Sequence, residues 1–224
     1  MPNTSVSSLA TGSRPCHCAV ELVTPRLVVV TGGPGAGKTA VLELVRRSFC
    51  KHLVVLPEAA SVLFSGGFPR LDSGIARKSC QRAIFHVQCE LERLGTGEPR
   101  GGLVLCDRGT LDGLAYWPGD EDSFFTEVGS TKERELAKYA AVIHLRTPEP
   151  KSYNQDNPFR IETAEEAARI DAAIARAWHG HPRRYVVQSS DGFMEKATRA
   201  LDCIRAELPP CCRARANGVA EPQV

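Results

Sequence analysis

Thr31-Gly32-Gly33-Pro34-Gly35-Ala36-Gly37-Lys38-Thr39 follows a short apolar, β-branched stretch at residues 26–31 and opens a segment with apolar residues at Val41, Leu42, Val45 and Phe49. From Gly32 to Thr39 the run fits G-x-x-x-x-G-K-[ST]. Glycines let the backbone turn so that successive N–H groups face one concavity at a helix N-terminus, a cradle for a phosphate chain. Lys38 is spaced to reach β- and γ-phosphates, and the Thr39 hydroxyl to hold Mg²⁺. A loop that only caps a helix needs neither the lysine nor so many glycines. Gly32, Gly33, Pro34, Gly35, Ala36, Gly37, Lys38 and Thr39 are therefore the candidate nucleotide-binding positions, with ATP as the co-substrate.

Outward from this loop, strand-like and helix-like stretches alternate. Short apolar runs lie at 26–31, 52–56, 103–106, 141–145 and 184–188, and helical stripes at 38–50, 74–94, 163–178 and 192–206. In the stripe at 74–94, Ile84, Val87, Leu91 and Leu94 share one face; in that at 163–178, Ala167, Ile170, Ile174 and Trp178 do. Uniformly apolar strands between helices predict a parallel sheet of about five strands covered on both faces, an α/β fold of the P-loop NTPase type. Residues 1–24 and 208–224 carry no sustained period and read as flexible arms around one domain at 25–207.

In parallel α/β sheets, ligands sit at the carboxyl ends of the strands. Two apolar runs end there in a carboxylate: Glu58 follows 53–56, and Asp107-Arg108 follows 103–106. Asp107 holds the Walker B position and is the second candidate Mg²⁺ ligand; its bland alternative is a helix cap. Motor-type ATPases usually carry Glu after that aspartate to activate water. Arg108 instead places a planar cation beside the phosphates, suited to an acceptor or to the transferring group, or to a structural ion pair. Glu58 is a candidate base for an acceptor hydroxyl, or a first-turn Glu favoured by a helix dipole.

Composition narrows the partners. The 224 residues are 42% hydrophobic and 24% charged, with 28 Lys plus Arg against 26 Asp plus Glu, a net charge of +2. That is ordinary globular composition without the electrostatic footprint of a nucleic-acid binder. The apolar runs are too short to span a bilayer, and the first 24 residues lack a signal-peptide pattern. Nine cysteines, an odd number in a chain this large, predict reduced thiols in a cytoplasmic protein.

In order along the chain stand residues 31–39 (TGGPGAGKT), 57–60 (PEAA), Ser65-Gly66-Gly67, Asp107-Arg108-Gly109 with Asp112, Tyr116 and Trp117, and 157–162 (NPFRIE). This pattern resembles the NadR-type AAA-like P-loop family, whose relatives include ribosylnicotinamide kinases and TRPL-translocation-defect proteins. The resemblance runs from residue 26 to about 187. It implies a nucleoside- or nucleotide-kinase-like core and leaves the acceptor open.

In such kinases a lid follows the fourth strand and brings arginine onto the phosphates. The turn-rich stretch at about 147–162 holds that place, with Arg160 the leading candidate ahead of Arg146 and Lys151. The loop at 188–192 lies where similar kinases hold adenine. His179-Gly180-His181 reads as a helix terminus rather than a metal site. Cys16-His17-Cys18 and Cys211-Cys212 sit in opposite tails, as free thiols or a shared zinc site; Cys50, Cys80, Cys89 and Cys106 read as core residues.

The leading functional reading is an ATP- and Mg²⁺-dependent kinase acting on a small-molecule, nucleoside- or nucleotide-like acceptor, with Lys38, Glu58, Arg108 and Arg160 as the catalytic set. The alternatives are an NTPase or nucleotide-dependent switch with a protein or lipid partner, and a binding module without turnover. Guanine-specific switches carry N-K-x-D; the nearest stretch here, Thr131-Lys132-Glu133-Arg134, ends in Arg.

Overall fold

A computed structural model describes residues 10–11, 24–97, 102–148, 163–189, 192–210 and 212–213. The strands are β1 (Ala10–Thr11), β2 (Arg26–Thr31), β3 (Leu53–Leu56), β4 (Leu103–Asp107), β5 (Tyr139–Leu145) and β6 (Arg184–Val187). The helices are α1 (Lys38–Ser48), α2 (Ala59–Ser65), α3 (Gly74–Gly97), α4 (Glu121–Val128), α5 (Lys132–Ala137), α6 (Ala164–Ala177) and α7 (Phe193–Glu207), with a 3-10 helix at Thr110–Ala115. The sheet order is β1-β3-β4-β2-β5-β6. β3, β4, β2, β5 and β6 run parallel, and β1 pairs antiparallel on the outer edge of β3. The five-stranded parallel sheet agrees with the sequence; the edge strand β1, inside the stretch expected to be an arm, does not.

The uniformly apolar strands are explained by a core on each face. Val28, Val30, Leu53, Val55, Leu103, Leu105, Ala141 and Ile143 point into one cluster with α1 and α7. Their alternates Val29, Val54, Leu56, Val104, Cys106 and Val142 point into the other, with Phe85, Phe124, Ile174 and Trp178. A strand buried on both sides has no solvent face on which to place polar residues.

Two expectations need correction, and two helices come from a stretch that the sequence leaves unassigned. On α3 the buried face is Phe85, Gln88, Glu92 and Gly95, while Leu94 is exposed. The inward polar groups have partners: Glu92 accepts from Gln88 Nε2 at 2.9 Å and from the Tyr139 hydroxyl at 2.6 Å. α4 and α5 come from a stretch with no long stripe, and each starts on a side-chain cap, Asp120 and Thr131. The chain beyond α7 packs as well. Leu208 and Cys212 are buried in the α1–α7 core, and a Cβ on Gly102 would stand 2.3 Å from Pro209 Cγ. Residues 208–210 and 212–213 thus close over the amino ends of the strands, held by apolar burial that their low periodicity conceals. Among the described residues no helix is long and apolar enough to cross a membrane.

Candidate active site

The phosphate loop joins β2 to α1, at the carboxyl end of the central strand. Gly32, Gly35 and Gly37 have φ of 139°, 73° and 89°. At Gly32 a Cβ would also lie 2.0 Å from the Leu145 carbonyl oxygen. Only glycine serves there, because the conformation and the close approach exclude a side chain. Lys38 is buried, and Nζ donates to the Gly32 and Gly33 carbonyls at 2.7 and 3.1 Å. Burial and the nearby Arg108 charge pull its pKa down to about 7. Thr39 is exposed at the first turn of α1.

β4 delivers Asp107 and Arg108. The Asp107 carboxyl is pushed up to about 6 by burial and by Glu58, and its Oδ1 is buried with no hydrogen-bond partner. Arg108 has φ 70°, a left-handed conformation that costs a non-glycine residue ~1–3 kcal/mol. The turn aims its guanidinium back across the strand ends. Nε donates to Glu58 Oε1 at 2.7 Å, Nη1 reaches the Gly32 carbonyl at 3.4 Å, and the group lies 5.8 Å from the Tyr116 ring centre. Glu58, the residue before α2, also accepts from Ser61 Oγ at 2.5 Å. Burial pushes its carboxyl up, but Arg108 and Ser61 outweigh that and hold it below the usual range.

Glu58, Arg108 and Tyr116 line a cavity of about 280 Å³ beside the loop, with Phe64, Phe85 and Arg70 on its other walls. Aromatic walls with a few convergent polar groups suit a small organic molecule. The structure thus brings together Lys38, Glu58, Asp107 and Arg108. Arg160 and most of the lid stretch, like Cys16, His17, Cys18 and Cys211, lie outside the described residues.

Several residues take roles that local sequence does not signal. Asp112 accepts from the Gly109 amide at 2.7 Å, the Thr31 hydroxyl and Trp178 Nε1; it braces the floor of the site. Asp171 of α6 accepts from the Gly33 amide at 3.0 Å and from His144 Nε2 at 2.8 Å, and pairs with Arg146 at 3.1 Å. Arg184, which can only donate, meets His144 Nδ1 at 3.2 Å, so the His144 hydrogen sits on Nε2 and points at Asp171. Phe193, at the start of α7, is 45% exposed, and a Cβ on Gly37 would lie 3.2 Å from its ring. His179-Gly180-His181 follows the end of α6, as the sequence suggested, and His181 bonds the Tyr139 carbonyl at 2.9 Å; Thr131 caps the start of α5.

A family model described as an AAA domain matches residues 27–196. The chain belongs to that family. No curated protein shows significant sequence similarity to it. Among solved structures, a NadR protein in complex with NR superposes with a TM-score of 0.61 at 15% identity, covering 90% of this chain and 54% of that one. A NadR protein in complex with NAD and AMP-PNP gives 0.58 at 14%, covering 90% and 52%. The chain thus spans about half the length of each, and the likeness shows a shared fold, in line with the resemblance read from the sequence.

Proposed function

We propose that this AAA-family chain is a kinase that transfers the γ-phosphoryl group of ATP to a small-molecule acceptor seated in the cavity beside the phosphate loop. The observation that carries the reading is Arg108. It spans from the loop carbonyl of Gly32 to Glu58 and lines the aromatic-walled cavity at the same time. A hydrolase needs a positioned water at that point; here a cation and an organic-sized cavity stand there instead.

The chemistry follows from placement. The loop amides and Lys38 cradle the phosphates, and Arg108 meets the charge that builds on the transferring group. Glu58 accepts a hydrogen bond from the acceptor hydroxyl and aligns it in line with the γ-phosphorus. Its depressed pKa makes it an aligning group rather than a strong base, which suffices for a loose transition state. Mg²⁺ fits this donor set: Thr39 and Asp107 offer hard oxygens, and the buried Asp107 Oδ1 lacks a partner. Held by Thr39 and Asp107, the ion would supply positive charge to offset that of the phosphates.

A thermal-shift panel tests the reading. ATP with Mg²⁺ is expected to raise Tm, a nucleoside-type acceptor to raise it further, and the pair to yield ADP and a phosphorylated acceptor. Stabilisation by GTP alone, or ADP release that no acceptor stimulates, overturns it.

A further inference from the structure

At the amino ends of the strands, away from the phosphate loop, three potential metal ligands converge. α1 ends at Ser48, and a turn closed by the Leu53 amide on the Cys50 carbonyl at 3.1 Å leads into β3. That turn carries Cys50 and His52. The chain beyond α7 brings in Cys212, 160 residues later in sequence than His52. Cys50 Sγ and Cys212 Sγ are 3.3 Å apart, His52 Nδ1 and Cys212 Sγ 3.3 Å, and Cys50 Sγ and His52 Nδ1 3.8 Å.

We propose that Cys50, His52 and Cys212 form a zinc site that staples the end of the chain to the sheet. With Zn–S near 2.3 Å and Zn–N near 2.0–2.1 Å, tetrahedral ligands stand about 3.8 Å (S to S) and about 3.5 Å (S to N) apart. The observed S to N distances are within about 0.3 Å of that, and the S to S distance is about 0.5 Å shorter. Two thiolates and an imidazole select a borderline-soft ion such as Zn²⁺ over Mg²⁺ or Ca²⁺. On binding, both thiols release their protons, so the dianionic pair and the dication sum to zero charge, which a half-buried site tolerates. Among the described residues three ligands converge, and tetrahedral coordination has room for one more.

The surroundings suit a structural role. Cys212 is buried in the core, its amide donates to the Pro209 carbonyl at 2.9 Å, and Pro209 packs on Gly102. Arg26 donates to the Glu207 carbonyl at 2.7 Å. The triangle is thus held by the fold around it, on the face of the sheet's end opposite the nucleotide cradle.

The full chain, purified without chelator, should carry one zinc per molecule by elemental mass spectrometry. Replacement by Co²⁺ should give the visible bands of a tetrahedral ion and thiolate-to-metal charge transfer in the near ultraviolet. Cys50→Ser, His52→Gln and Cys212→Ser should each weaken zinc binding at least tenfold, and Cys80→Ser should not. The cobalt spectrum of the unaltered chain needs no variant to fold. Absence of both zinc and a cobalt spectrum overturns the proposal, as does an unchanged spectrum in Cys212→Ser. A Cys50–Cys212 disulfide in the unreduced protein would also overturn it.

Discussion

Lys38 has a pKa near 7 where the usual lysine lies at 10.5, because burial and Arg108 penalise its charge. At pH 8 the free protein therefore holds Lys38 mostly neutral, with Nζ on the loop carbonyls. A polyphosphate reverses the balance, and the pKa returns toward its ordinary value. Binding ATP at pH 8 should therefore be accompanied by net proton uptake, seen by calorimetry in buffers of different ionisation enthalpy. Zero uptake would mean that Lys38 does not meet the phosphates. The sign for stability is the same: a depressed lysine pKa means folding loses this group's contribution as pH falls from 10.5 toward 7. Lys38→Ala should abolish ATP binding while the fold persists. Glu58→Gln keeps the contact to Arg108 but not the charge. We expect kcat to fall about 10²-fold or more with ATP affinity within about threefold. Full activity in that variant would leave Glu58 as a helix-start residue only.

At the scale of elements, α6 reaches the phosphate loop through one carboxylate. Burial pushes the Asp171 carboxyl up, but His144, the Gly33 amide and Arg146 outweigh it and hold it below the usual range. Asp171→Asn keeps one acceptor and loses the charge that Arg146 and His144 face. It should cost ~1–3 kcal/mol of stability and raise the Kd for ATP several-fold, since an NH₂ group in place of Oδ2 faces Arg146 and weakens the hold of Oδ1 on the Gly33 amide. Unchanged ATP affinity at reduced stability would make Asp171 a core ion pair without influence on the loop. The contrast with the phosphate loop shows what a sequence can reveal. Gly32 to Thr39 needs only its own eight positions and an adjoining strand and helix, so local pattern suffices. The Glu58–Arg108 pair spans 50 positions and Gly33–Asp171 spans 138; each residue was visible, or not, only as a polar side chain near an element. Asp171 follows Ala167 by four positions, so it shares the buried face of α6, where apolar periodicity alone favours Ile170. On α3 the same misreading arises because Gln88 donates to Glu92 and Glu92 accepts from Tyr139 of β5, contacts that no helical stripe encodes.

For the whole molecule, the segment after α7 joins the two ends of the site's scaffold. Phe193 begins α7 beside Gly37, and Leu208, Pro209 and Cys212 fasten its far end across the strand starts. Leu208 is 2% exposed and Cys212 is 5% exposed. Burying a leucine contributes about 1.5–3 kcal/mol, and the smaller thiol side chain adds roughly 1 kcal/mol. A chain ending at Glu207 loses both and uncovers Ile204 and Gly102. At 2–4 °C per kcal/mol for a chain of this size, its Tm should drop by ~5–16 °C relative to a chain ending at Arg213. Measuring both in chelator removes any metal contribution, so the difference reads apolar packing alone. ATP affinity should change little, because the phosphate loop lies at the opposite ends of the strands. A Tm for the shorter chain within ~1 °C of the longer one would show that residues 208–213 rest on the sheet without supporting it.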